Sequence, residues 1–139
     1  TGLDFTAEQI SMLPSERLPL FSEHAYDWTR RKNLIRFLAK VCTVRAKFSN
    51  LITDPDPATF HLLEDVNQHI LAFERSRPEG GPRIVVVSNA NCVDREQCMI
   101  RIDTERKAGT DLLSGKPVRI SANHLRKVLK PGESLVLKL

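Results

Sequence analysis

The chain is poor in the residues that carry most recognisable chemistry. Its 139 residues include three cysteines, two methionines, one tryptophan and one tyrosine. Cys42, Cys92 and Cys98 are separated by 49 and 5 intervening residues, spacings that suit neither a zinc ribbon nor a Cys-x-x-Cys motif. An odd count of this kind favours free thiols in a reducing compartment, so a cytoplasmic home is expected. A Cys92–Cys98 bridge across the short excursion stays open at this point. No apolar run approaches the ~20 residues of a membrane span, and the opening Thr-Gly-Leu-Asp is not a signal peptide, so no membrane partner is expected. The first residue is not Met, and a portion upstream is expected.

What is present is ordinary globular material. Hydrophobic residues make up 41% and charged residues 27%, which excludes disorder as a description of the whole chain. A chain of this length buries roughly two-thirds of its unfolded surface, enough for a core without metal or disulfide support. The net charge is +4, concentrated in Arg30, Arg31, Lys32, Arg36, Lys40, Arg45 and Lys47, with a smaller cluster at Arg126, Lys127 and Lys130. Nucleic-acid binding would call for interleaved stacking aromatics or a recognition-helix motif, and neither is present. These charges read as a solvated helix face, and no nucleic acid is expected as partner.

Along the chain, residues 1–31 form a prelude. Thr6 and Gln9 make a capping box that predicts a short helix to about Met12, stopping before Pro14. Residues 15–26 read as an ordered loop that packs Leu18, Leu20, Phe21 and Tyr26. Residues 32–49 carry the strongest helical period, with Leu34, Phe37, Leu38, Val41, Val44 and Phe48 on one stripe. Cys42, beside that stripe, is expected to be a small core residue. Asp54-Pro55-Asp56-Pro57 cannot continue a helix. Over residues 58–139 the period becomes two. Strands are predicted at residues 59–64, 68–77, 83–89, 98–103, 109–113, 118–120, 125–129 and 134–139, divided by Gly and Pro turns. The expected fold is mainly β: an antiparallel β-sandwich of Greek-key type, preceded by one long amphipathic α-helix and an ordered N-terminal loop with a short helix.

The order of these pieces resembles the end of the α-amylase family (family thirteen) of glycoside hydrolases. The helix from Phe37 closes on Val44-Arg45, as the family's last barrel helix closes on Leu-Arg. Val85-Val-Val-Ser-Asn89 resembles a strand of its C-terminal sheet, and Thr110-Asp-Leu-Leu-Ser-Gly115 its recurring strand and turn. The ending from Leu129 to Leu139 is similar to its closing strand, and Tyr26-Asp27-Trp28 to the aromatic segment before the final helix. The resemblance implies that residues 1–31 correspond to the loop after the eighth barrel strand, 32–49 to the last barrel helix and 58–139 to the C-terminal sandwich. It implies a missing (β/α)8 catalytic barrel as partner, in cis or in trans, and a parent that hydrolyses or transfers α-glucosides. It also implies that Tyr26 and Trp28 could reach substrate at the mouth of that barrel, although a Trp before a helix more often serves as an anchor.

The catalytic carboxylates of that family precede this segment, and none of the motifs that carry them occurs here, so no catalytic residue is assigned. Asp54 with Asp56, and Glu64 with Asp65, read as turn chemistry. His24, His61, His69 and His124 match no ligand spacing, although His61 and His69 could face each other across the first hairpin. No cofactor and no metal is expected. Phe60 and Phe73 are the only aromatics from residue 58 on, and both are expected in the core. Two readings follow. The first is a non-catalytic C-terminal domain that stabilises a barrel, with possible self-association through the Leu34–Phe48 stripe. The second is a free-standing β-sandwich module that binds carbohydrate or an acidic partner. The stripe separates them: a free-standing module buries it within one chain.

Overall fold

The computed structural model describes residues 35–139. The predicted short helix at Thr6, the loop at 15–26 and both Tyr26 and Trp28 lie outside the described residues, as does Leu34. The boundary between two compact units falls between Thr43 and Val44.

Helix α1 spans Ile35–Lys47. No Gly or Pro interrupts it, and Arg45 and Lys47 in its last turn face the negative end of the helix dipole. Up to Thr43 its apolar side chains are uncovered: Phe37 is 49% exposed, Leu38 47% and Val41 38%. Cys42 is exposed as well and is not the core residue expected from its place beside the stripe. The stripe it borders is itself open.

In the second unit the chain turns at Phe48 into a short helix, α2 (Ser49–Ile52). Thr53 closes it, donating from both its N–H and its hydroxyl to the Ser49 carbonyl at 2.8 Å. Asp54 Oδ1 then accepts from the Asp56 N–H, and Asp56 caps a single 3-10 turn, Pro57–Thr59, through the Ala58 N–H at 2.9 Å. Both aspartates thus serve turns.

Eight strands follow: β1 (Phe60–Leu63), β2 (Ile70–Arg75), β3 (Ile84–Asn89), β4 (Glu96–Arg101), β5 (Ala108–Asp111), β6 (Pro117–Ser121), β7 (His124–Leu129) and β8 (Ser134–Lys138). They form one antiparallel sheet in the order β1-β2-β3-β8-β5-β6-β7-β4. The crossings from β3 to β4 and from β7 to β8 give the Greek-key path. The sheet folds over so that Ala72, Val85, Val87, Leu135 and Leu137 of β2, β3 and β8 meet Cys98, Ile100, Ile120, Leu125 and Leu129 of β4, β6 and β7. Each fully buried Leu, Ile or Val of this cluster contributes about 1.5–3 kcal/mol before entropy is subtracted.

β3 and β8 are covered on both faces. Val85, Val87, Leu135 and Leu137 point into the sandwich, while Ile84, Val86 and Val136 pack against Val44, Phe48, Leu51 and Ile52. This explains the uninterrupted β-branched run of β3. Strand alternation also corrects the expectation for Phe60 and Phe73. Ala72 and Glu74 of β2 face inward, so Phe73 between them faces outward, where its ring meets that of Phe60 at 5.3 Å. Phe60 is 40% exposed.

β6 and β7 are joined by a two-residue turn in which Ala122 (φ 48°) and Asn123 (φ 59°) are both left-handed. Such a turn favours Asn-Gly, and Ala carries a Cβ penalty there. Ala122→Gly is therefore expected to stabilise the protein by about 0.5–1 kcal/mol, whereas Leu137→Ala in the core should cost about 2–5 kcal/mol. Urea unfolding midpoints check both.

Candidate functional site

The most heavily used buried polar side chain in the sandwich is Asp111, at the end of β5 and 4% exposed. Its Oδ1 accepts from the N–H groups of Leu113 and Val136, both at 3.2 Å. Its Oδ2 accepts from the Ser114 N–H at 3.2 Å and from the Ser114 hydroxyl. The backbone closes around it, with Gly115 donating to the Asp111 carbonyl and Leu112 to that of Val136, both at 2.7 Å. The segment Asp111-Leu-Leu-Ser-Gly115 is thus a turn built around one carboxylate that also holds β8. Burial raises the Asp111 pKa, but the Ser114, Val136 and Leu113 donors together outweigh it and hold the carboxyl below its ordinary value.

Glu74 of β2 is buried and gripped by Arg83 through two bonds of 2.8 Å. Arg83 donates a further bond to the Asp103 carbonyl at 2.6 Å, so the pair joins β2 to the segment after β4. Burial opposes the charge on Glu74, yet the hydrogen bonds from Arg83 and Ser76 leave its pKa lowered, and Arg83 is raised in turn. This pair lies in an open groove of about 490 Å³, beside His61, Glu64, Arg101 and Asp103.

A polar network ties the first hairpin to β4. Asn67 donates to Glu96 Oε2 at 2.7 Å, Asn91 to Glu96 Oε1 at 2.9 Å, and Asp65 Oδ2 accepts from the Met99 N–H at 2.7 Å. Asn89, 2% exposed, bridges the carbonyls of Asp94 and Lys130. Asp54 forms an ion pair with Arg77 at 3.0 Å. Among the described residues no group of three His, Cys, Asp or Glu side chains could hold a metal ion.

This arrangement bears on chemistry. A general acid at neutral pH needs a carboxyl whose pKa is raised. Asp54, Glu74, Glu96, Asp111 and Glu133 are all shifted the other way, by donors they hold permanently. Cys98 is buried in the core and its thiol pKa is raised by that burial, which makes it inert. The three cysteines are free, so the Cys92–Cys98 bridge does not form. Nor do His61 and His69 face each other, because His61 stands opposite Glu74 and His69 precedes β2. Of the features singled out from sequence, the structure gives a clear role to the Asp111 turn. The Glu74–Arg83 pair had no local signal, since its partners are nine residues apart on neighbouring strands.

Asp111 sets an acid limit. Its pKa lies below the ordinary 3.8, so the stability it adds is whole above that value and is lost as pH falls through the lower folded value. Asp111→Asn is expected to cost about 1.5–3 kcal/mol at neutral pH, since an amide NH₂ would face the Ser114 donors. The variant should also lose less stability than the parent protein as pH drops below about 4. Urea denaturation from pH 2 to 7 checks both effects.

No protein-family model matches the chain, and no curated protein matches it. Among solved structures it resembles an α-amylase from Anoxybacillus, described as giving insight into a new glycosyl hydrolase subclass. The TM-score is 0.62 at 20% identity over 81% of this chain. The chain spans 24% of the length of that protein. No described helix is long and apolar enough to cross a membrane. The helix and the folded-over antiparallel sheet described above therefore have the fold of a part of an α-amylase.

Proposed function

We propose that this chain is the non-catalytic C-terminal domain, with the last barrel helix, of an α-amylase-family glycoside hydrolase or transglycosidase that acts on α-glucosides. Its role is structural: it covers the end of a (β/α)8 barrel, in cis or in trans, and stabilises it. In this reading residues 1–31 follow the eighth barrel strand, 32–49 are the last barrel helix and 58–139 the accessory sandwich. Tyr26 and Trp28 are the candidates for reaching the substrate side of the barrel, and anchoring the helix is the commoner role for such a Trp. The parent belongs to carbohydrate metabolism in the cytoplasm, a placement supported by three free cysteines.

The observation that carries the reading is the apolar stripe of α1. Val44 and Phe48 pack against β3 and β8, whereas Phe37, Leu38 and Val41 stay 38–49% exposed. A free-standing module would bury the whole stripe, because each such side chain gains about 1.5–3 kcal/mol on leaving water. A barrel supplies the missing cover. The likeness to part of an α-amylase supports the same reading, as do the carboxylates held below their ordinary pKa.

The test uses the 139-residue chain alone, with its fold verified by circular dichroism. It is assayed against p-nitrophenyl α-glucosides and soluble starch, and starch binding is followed by calorimetry. The expected result is neither turnover nor binding. Starch binding without turnover would favour the carbohydrate module, and turnover would overturn the non-catalytic reading.

A further inference from the structure

The outer faces of the sandwich differ in character. Outside β3 and β8 the residues Ile84, Val86 and Val136 are apolar. On the outer face of β4, β6 and β7, strand alternation turns out Met99 and Arg101 of β4, Arg126 and Val128 of β7, and Arg119 of β6. None of the outward positions of these three strands is Asp or Glu. Met99 pairs with Arg126 and Arg101 with His124, so Arg101 lies on the diagonal from Arg126. Ile120 pairs with Leu125, and the next residues along that register are Arg119 and Arg126. Arg126 thus has an arginine on each neighbouring strand. Like charges placed as cross-strand neighbours repel one another.

The arginines of and beside β2 and β3 are all held. Arg83 grips Glu74 through two bonds of 2.8 Å, Arg77 pairs with Asp54 at 3.0 Å, and Arg75 donates to the Thr59 hydroxyl at 2.8 Å. Lys127, next to Arg126 in sequence, turns to Glu133 at 3.3 Å. Among the described residues no ion pair includes Arg101, Arg119 or Arg126. Glu64 and Asp103 line the groove that Arg101 borders, and the cationic surface ends there.

We propose that this face docks an acidic segment of another protein, extended and with carboxylates at alternate residues. Guanidinium forks take carboxylates through paired, charge-assisted hydrogen bonds. Alternate carboxylates on an extended chain lie about 6.5–6.8 Å apart, close to the ~7–8 Å of a cross-strand diagonal. Met99, 40% exposed, and Val128, 56% exposed, flank Arg126 and give the segment apolar contact. The segment lies across the face and does not extend the sheet, because the β4 edge is already taken. Asp65 accepts from the Met99 N–H at 2.7 Å, and the Asn67 amide donates to the Gln97 carbonyl at 3.3 Å. Nucleic acid fits less well, since no aromatic stands at these outward positions to stack a base. The docking is independent of the proposed accessory role.

The probe is a fluorescein-labelled peptide in which Glu and Ser alternate, titrated with the 139-residue chain and followed by anisotropy. It is expected to bind at low salt and to lose at least about tenfold in affinity between about 50 and about 500 mM NaCl. The same peptide with Gln in place of Glu should not bind. Arg126→Gln should weaken binding about tenfold with an unchanged circular dichroism spectrum. Arg36→Gln removes the same charge from α1 and should leave the affinity within about twofold. Amide chemical-shift mapping of the unmutated chain should place the peptide on β4, β6 and β7, and it decides if Arg126→Gln does not fold. Absence of binding at low salt, equal binding of the Gln peptide, equal losses in Arg36→Gln and folded Arg126→Gln, or shifts confined to α1 would overturn the proposal. So would a single-stranded RNA of the same charge that binds this face more tightly than the peptide.

Discussion

The structure rests on two adjacent strands that are packed on both faces. β3 and β8 run side by side from Ile84↔Lys138 to Ser88↔Ser134. Their inward residues, Val85, Val87, Leu135 and Leu137, complete the sandwich, and their outward residues, Ile84, Val86 and Val136, take up Val44, Phe48, Leu51 and Ile52. Strands buried on both faces lose the period-two constraint and can be apolar throughout. Because β8 is the last strand, the Greek-key path must carry the chain through β4 to β7 before this pair can close. On the other side of β8, β5 approaches tightly, since a Cβ at Gly109 would lie 2.8 Å from a Leu139 methyl and 3.2 Å from the Lys138 carbonyl.

The same constraint accounts for the carboxylates. A sheet that folds over itself has to join strands distant in sequence, and buried backbone N–H groups at those joins need acceptors. Asp111 serves that need at β8, Glu74 holds Arg83 against the segment after β4, and Asp65 and Asn67 hold the far edge. At Asp111 and Glu74 such donors favour the ionised form, whereas a general acid at neutral pH has to keep its proton. Asp111, Glu74 and Asp65 are fitted to holding the fold together. That is the physical content of the accessory role proposed here, and the exposed half of the α1 stripe is its counterpart on the outside.

Much of the fold was legible because the hydrophobic period changes once, from helical before Asp54-Pro55-Asp56-Pro57 to alternating after it. All eight strands were predicted with small shifts at their ends. β4 starts two residues earlier than expected, since Glu96 and Gln97 pair with Leu129 and Val128 without an apolar signal of their own. The size of Phe60 and Phe73 suggests a core position, where strand parity decides otherwise. The hairpin at Ala122-Asn123 carries no Gly, so its turn chemistry was hidden. The Glu74–Arg83 pair depends on strand register, which composition does not reveal. Cys42 is exposed because a helical stripe turns away from water only when a partner covers that face.

The double burial of β3 and β8 is tested most directly by native-state hydrogen exchange. The account predicts that the amides of Val85, Val87, Leu135 and Leu137 are the slowest in the chain and open only with global unfolding. It further predicts that the amides of Leu51 and Ile52, bonded to the Phe48 carbonyl, open at a comparable free energy, because their side chains cover the outer face of the same strands. Rapid opening of Leu51 and Ile52 while the β3 and β8 amides stay protected would contradict it, and would leave α2 as an ornament on a sandwich that stands without it.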